Sequence, residues 1–249
     1  MSTYNKTPTP EQIIQNLHDF NRKERDHLIK FALCGEKPPK PAISAHLWRL
    51  VRLEKGAKRP LPRNMFLGMD YHLNWLYAAL MVDRSSKVKK IGDLSNKWKA
   101  PGNEREFDEV VRPIQPNQQD VDLLLVYYKK PKQIHIVLIE AKLTSGWDSA
   151  QFASKIARIN AIKVEAENRL GRSVEQSWRF YLASPANEGP SLEQFSEENV
   201  QALPDWVAPQ TNGKKKLRYI QYGPETLYQV KRRSAKQPGI WEVVAMQLR

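Results

Sequence analysis

Apolar residues recur at helical spacing near the start of the chain. Ile13, Ile14, Leu17 and Phe20 stand in "PEQIIQNLHDF", and Leu28, Ile29, Ala32 and Leu33 in "RKERDHLIKFAL". Two helices are predicted within residues 10–34, and "CGEKPPKPAI", with Gly35 and three prolines, ends the pattern. Ser44 is placed to cap a third helix that carries Leu47, Leu50 and Val51, with Arg49 and Arg52 on its flank. "KGAKRPLPRN" is a basic turn. A wide stripe of Met65, Met69, Leu73, Leu76, Tyr77 and Leu80 predicts a stronger helix over 64–83. Residues 84–119 are polar and loop-like, with one short strand expected near "EVVRPI".

The next segment, "VDLLLVYYKKPKQIHIVLIEAKL", holds two apolar runs around a lysine-rich turn and reads as a β-hairpin. "DSAQFASKIARINAIKVEAENRLG" is a helix, with Asp148 as its cap and Gly171 as its stop. "SWRFYLASP" is a strand, "SLEQFSEENVQAL" a helix, and "KLRYIQYG" and "IWEVVAMQL" two further strands. This order predicts an α/β fold, a mixed sheet flanked by helices behind a helical N-terminal region. The division expected is a basic helical region at 1–84 and a core at 85–249, or one continuous domain.

Composition narrows the class. With 249 residues and 41% hydrophobic side chains, the chain can bury a sizeable core. No apolar run is long enough to cross a bilayer, and the polar start does not read as a signal peptide. Cys34 is the single cysteine, which excludes an intramolecular disulfide or a thiolate metal cluster and suits a reducing, cytoplasmic setting. The five histidines show no zinc spacing, and no phosphate-binding glycine loop or nucleophile-elbow sequence is present. The net charge of +13 is concentrated early, since residues 1–100 carry 19 basic and 9 acidic side chains. A polyanionic partner, nucleic acid above all, fits that excess.

The hairpin sets its charges in an unusual place. Side chains two apart on a strand share a face, so Glu140 and Lys142 point the same way, as do Asp120 and Asp122. A turn over 129–133 makes 128 face 134, 126 face 136 and 122 face 140, and sets Asp120 against Lys142. Cross-strand neighbours are only about 5 Å apart. Burying such charges costs several kcal/mol, and an ion pair barely offsets it. Two carboxylates do suit Mg²⁺, a hard cation that acidifies the water it holds, and a neighbouring ammonium can steady a developing phosphorane charge.

"DVDLLLV … IVLIEAKL" resembles the PD-(D/E)XK nuclease superfamily, with its restriction-endonuclease-like fold. That pattern is an acid at the start of one strand, (D/E)-X-K on the next, and a helix following. Here Asp122 matches the first acid, with Asp120 as the alternative, and Glu140-Ala141-Lys142 supplies the second half. The match covers about residues 110–185, and no proline directly precedes either aspartate, as the pattern often has. The resemblance implies a Mg²⁺- or Mn²⁺-dependent endonuclease acting on DNA, with RNA left open. Asp122 and Glu140 would hold the metal, Asp120 would assist, and Lys142 would position water or phosphate. It also implies that Gln151 or Lys155, on the following helix, lies near the metal or the scissile phosphate, and that Asp70 supports the site. The bland alternative makes Asp148 and Gln151 a capping box with Lys155 and Arg158 solvated.

DNA contacts are expected from Arg49, Arg52, Lys55, Lys58, Arg59 and Arg63, from the turn lysines Lys129, Lys130 and Lys132, and from Lys155. Trp48 is expected to pack inward, and His72 to be a satisfied histidine rather than a ligand. Cutting both strands together would call for a homodimer, which nothing in the sequence shows. The alternative is a catalytically inactive nucleic-acid-binding protein that keeps the nuclease fold.

Overall fold

The computed structural model describes residues 7–34, 43–52, 61–62, 64–83, 112–116, 119–130, 132–142, 149–171, 173–185, 197–223, 227–232 and 241–246. Helix α1 (Pro10–Phe20) begins with a capping box: Thr9 Oγ1 accepts from Gln12 N at 3.3 Å, and Gln12 Oε1 accepts from Thr9 N at 2.8 Å. Pro10 fits the first helical position because its missing N–H has no partner there. The helix buries Ile13 and Leu17, and buried Asn16 donates to Ala79 O and Val82 O at 3.1 and 2.8 Å. Helices α2 (Glu24–Cys34) and α3 (Ala45–Val51) follow, α3 capped by Ser44 Oγ on Leu47 N, as its sequence predicts.

The expected helix over 64–83 is two elements, strand β1 (Met65–His72) and helix α4 (Leu73–Met81). Met65, Met69 and Leu73 happen to stand four apart, which extends the genuine helical stripe of Leu73, Leu76, Tyr77 and Leu80 backwards. The N-terminal half pairs instead with an apolar strand, from Met65 opposite Tyr127 to His72 opposite Asp120. Asp70 interrupts it in the left-handed region at φ 48°. Phe66 and Tyr71 share one core cluster although their numbers differ in parity.

Strands β2 (Asp120–Lys130) and β3 (Gln133–Ala141) form the hairpin, helix α5 (Ser149–Leu170) crosses over, and strand β4 (Glu175–Ser184) returns parallel to β3. After helix α6 (Glu197–Gln201) and the small hairpin β5 (Gln210–Thr211)–β6 (Lys214–Lys215), strand β7 (Tyr219–Gln221) joins β4 in parallel. The sheet order is β1-β2-β3-β4-β7, antiparallel through β3 and parallel beyond it. It is a mixed sheet with helices, as expected. Both faces are covered, which is why β2 and β3 read as nearly continuous apolar runs. Leu124, Val126, Ile136, Leu138 and Phe180 meet Ile156 and Ile159 of α5 on one face. Leu125, Val137, Ile139 and Tyr181 meet Trp48 and Val51 of α3 on the other.

Strands β8 (Leu227–Arg232) and β9 (Trp241–Met246) make a separate two-stranded sheet, where the sequence pattern predicts only β9. The β5–β6 hairpin, not among the elements predicted from the sequence, turns at Asn212-Gly213, whose φ values are 52° and 78°. No helix among the described residues is long and apolar enough to cross a membrane. The strand expected near "EVVRPI" is absent from its described residues, 112–114, and the rest of it lies outside the described set.

Candidate active site

The β2–β3 register is the one expected from a turn over 129–133, with Val126 opposite Ile136 and Tyr128 opposite Ile134. The backbone ladder ends at Leu123–Ile139. One residue further, where Asp122 and Glu140 come level, a side chain takes over the ladder's role. Asp122 Oδ2 accepts the backbone N–H of Ala141 at 2.6 Å. The tail of β3 stays with β4 instead, Glu140 level with Leu182, and Lys142 N donating to Ala183 O at 2.9 Å. Asp122 is thus fixed at the mouth of the hairpin by a main-chain donor of the E-A-K triplet itself.

Glu140 points to the face covered by α5 and is only 8% exposed. Its Oε1 accepts from Lys155 Nζ at 2.5 Å, while its buried Oε2 has no hydrogen-bond partner among the described residues. Burial pushes the Glu140 carboxyl above the ordinary glutamate range, and the neighbouring Asp122 charge pushes the same way. Lys155 and, more weakly, Lys142 oppose that rise. One carboxylate and two ammonium groups therefore act on the buried Glu140 carboxyl.

The residues fit a hard divalent cation. The orphaned Glu140 oxygen and the second carboxylate are the oxygen donors Mg²⁺ takes, and Mg²⁺ retains waters in its other positions. Among the described residues no group of three or more His, Cys, Asp or Glu gathers in metal-binding fashion, so the acidic set stops at this pair.

Asp120 is held elsewhere. Beyond Ala141 there is no β3 for it to face, and it pairs with His72 of β1 rather than with Lys142. It forms an ion pair with Lys23 Nζ at 2.5 Å, and its charge is felt by His72 and Arg158. Arg158 is not solvated as the bland reading has it but fully buried, donating to Pro113 O, Gln119 Oε1 and Asn74 Oδ1. Burial lowers its pKa to about 10 against the opposing pull of Asp120. Lys155, expected on the DNA-binding surface, is 6% exposed and belongs to the site. The signal was available: Lys155 stands three after Phe152 and four before Ile159, on the apolar stripe of α5.

Gln151 is exposed on the first turn of α5. Asp70 lies on β1 rather than a helix, between the pairs Met69–Leu123 and Tyr71–Val121, which places it level with Asp122. His72 caps α4 by accepting Asn74 N at Nδ1, 3.1 Å away. Trp48 packs inward, edge-on to Tyr127 at 5.0 Å. Arg49 is exposed, and Arg52 caps α3 half-buried. Lys132 is exposed at the hairpin turn, eight residues and so roughly 26 Å along β3 from Glu140. It is not brought to the carboxylates. Lys129 and Lys130 share that end of β2, with side chains outside the described set. Lys55, Lys58, Arg59, Arg63 and Asp148 also lie outside it.

One residue near the carboxylates escaped the sequence pattern. Tyr222, directly after β7, is close enough to feel the Asp122 charge. Finding it required the parallel β4–β7 pairing, which no local motif announces. No protein-family model, curated protein or solved structure matches the chain.

Proposed function

We propose that this end of the sheet is the centre of a divalent-metal-dependent nuclease that hydrolyses phosphodiester bonds in DNA, on a restriction-endonuclease-like fold of the PD-(D/E)XK kind. The observation that carries the reading is the meeting of Asp122 and Glu140 from neighbouring strands, with one Glu140 oxygen locked by Lys155 and the other unpartnered. Glu140-Ala141-Lys142 at the end of β3, with α5 following, adds the order of elements that the motif requires. The net charge of +13 suits a polyanionic substrate.

Each residue then has a defined task. Asp122, oriented by Ala141 N–H, and Glu140, oriented by Lys155, would hold Mg²⁺ or Mn²⁺. When bound, the cation supplies Lewis acidity toward the phosphate and a more acidic water at neutral pH. Lys142 places an ammonium beside Glu140, where it steadies the negative charge that gathers on the phosphate oxygens. Lys155 acts through Glu140 as a positioning residue.

Plasmid cleavage in Mg²⁺, together with calorimetric titration of Mg²⁺ and Mn²⁺, tests the reading. Wild type should cut and bind the cation, and Asp122→Ala, Glu140→Ala and Lys142→Ala should not cut while melting cooperatively. Equal cutting by wild type and all three variants would sink the assignment. The rival, a DNA-binding protein that has lost catalysis, draws support from the extent to which Lys155 and Ala141 N–H already occupy the carboxylates. It predicts salt-sensitive DNA binding by wild type, indifferent to the metal and without cleavage.

A further inference from the structure

Strands β3, β4 and β7 run parallel, so their carboxyl ends share one edge of the sheet. The start of β2, antiparallel to β3, lies at that same edge. Crevices outside the carboxyl ends of parallel strands are where open α/β sheets take their ligands. Glu140 is the penultimate residue of β3 and Lys142 follows the strand, Asp122 is the third residue of β2, and Ser184 ends β4 with Pro185 next. The last contributor is the tail of β7, residues 221–223.

That tail is built to hold a ring in place. Tyr222 N donates to Ser184 O at 3.1 Å, which extends the β4–β7 ladder one residue past the strand. Gly223 follows at φ +98°, a conformation L side chains rarely adopt, and turns the chain against Pro185. The neighbouring tyrosine, Tyr219, is committed internally, its hydroxyl bonded to Ser184 Oγ at 2.5 Å and to Ser184 O at 3.0 Å. Tyr222 is different. Its side chain stands among the large apolar groups left open to solvent, 38% exposed, although its backbone is fixed. Partial burial raises the pKa of its phenol, and the charges of Asp122 and Tyr219 push the same way. A fixed backbone and an exposed ring, at the sheet edge that also carries Asp122 and Glu140, together describe a contact surface beside the proposed reaction centre.

Resting on the nuclease reading above, we propose that Tyr222 is the stacking platform for a nucleotide base next to the scissile phosphate, so the favoured substrate is a strand whose bases are unpaired there. Bases inside a duplex are already stacked on one another, and a protein ring offers them little. An unpaired base gains a face, and such stacking is sequence-tolerant because every base has one. The rim residue therefore selects for strand state rather than for sequence.

The test compares wild type, Tyr222→Phe and Tyr222→Ala on one oligonucleotide, offered single-stranded and as a duplex. It carries 2-aminopurine, whose fluorescence is quenched on stacking. Wild type and Tyr222→Phe should quench the single-stranded probe and cleave it with similar KM. Tyr222→Ala should lose the quench and raise KM for the single strand by about tenfold or more, with kcat and duplex cleavage little changed. Thermal melts of both variants check that each is folded. Unchanged quench and KM in Tyr222→Ala, with wild type active, overturn the stacking role and leave the nuclease reading standing. A wild type that preferentially cuts duplex also overturns it. A wild type that cuts neither substrate removes the nuclease reading and this inference together.

Discussion

Lys155 and Arg158 stand three residues apart on α5, both buried, yet they meet their surroundings in opposite ways. Arg158 spreads its guanidinium over oxygens of Pro113, Gln119 and Asn74, with Asp120 supplying a charge nearby and Lys23 pairing with Asp120 in turn. Two of those oxygens are neutral side-chain amides, and the group as a whole ties α4, α5 and the start of β2 together. Lys155 takes a single carboxylate oxygen and leaves its twin unpartnered in the interior. Buried polar groups are ordinarily satisfied, and a buried carboxylate oxygen without a partner is costly. The first cluster ties elements of the fold together, while the second leaves the Glu140 oxygen that the proposed cation would take.

Activity separates the two clusters most sharply. Glu140→Ala or Asp122→Ala should lower plasmid cleavage in Mg²⁺ by about 10³-fold, the scale of removing a group that stabilises transition-state charge. Asp120→Asn, in the other cluster, should change the rate by no more than about threefold while lowering the melting temperature. If Asp120→Asn is as inactive as Asp122→Ala, the division between them fails.

Stability gives the next effect. Lys155→Met leaves Glu140 buried without its ammonium and should cost about 3 kcal/mol in urea denaturation of the metal-free protein at neutral pH. Adding Glu140→Gln should return most of that loss, because the uncompensated charge is then gone. Strictly additive effects of the two changes would mean the pair is not coupled in solution. Arg158→Met should cost somewhat less, about 2 kcal/mol, since it strands neutral acceptors rather than an ion. No second change in a carboxylate should rescue it, and rescue by Asp120→Asn would show that Arg158 serves chiefly as a counter-ion.

The two clusters also differed in how plainly the chain announced them. The hairpin register follows from the short turn placed between two apolar runs, "LLLV" and "IHIVLI", so the meeting of Asp122 with Glu140 could be read from local pattern. Asp120 could not be placed that way. Its partners Lys23, His72 and Arg158 come from α1–α2, β1 and α5, and β1 itself was hidden inside what reads as one long helix. Gly68 held a clue: a Cβ there would lie 2.7 Å from the Phe66 ring, a crowding that marks close packing on a strand. Tyr222 depends on a parallel pairing across many residues, beyond the reach of any periodicity. A short turn between apolar runs exposes one cross-strand pair, while clusters built from distant elements wait for the fold.

His72 offers the smallest and most specific test, because it borders the Asp120 cluster without belonging to the carboxylate site. Its Nδ1 accepts the Asn74 N–H at the start of α4, a bond that requires an unprotonated nitrogen. Burial lowers its pKa, and Arg158 and Lys23 push the same way against Asp120. The unfolded chain, with histidine near the usual value of about 6.5, therefore binds a proton more readily than the folded one. Stability from this group is fully present above that value and is lost as pH falls through the lowered folded pKa. His72→Asn keeps a capping acceptor that does not titrate. Denaturation curves at pH 8 should then agree within about 1 kcal/mol for the two proteins, while below about pH 6.5 the variant should lose less stability than wild type. Parallel pH profiles would show that His72 does not gate the helix start.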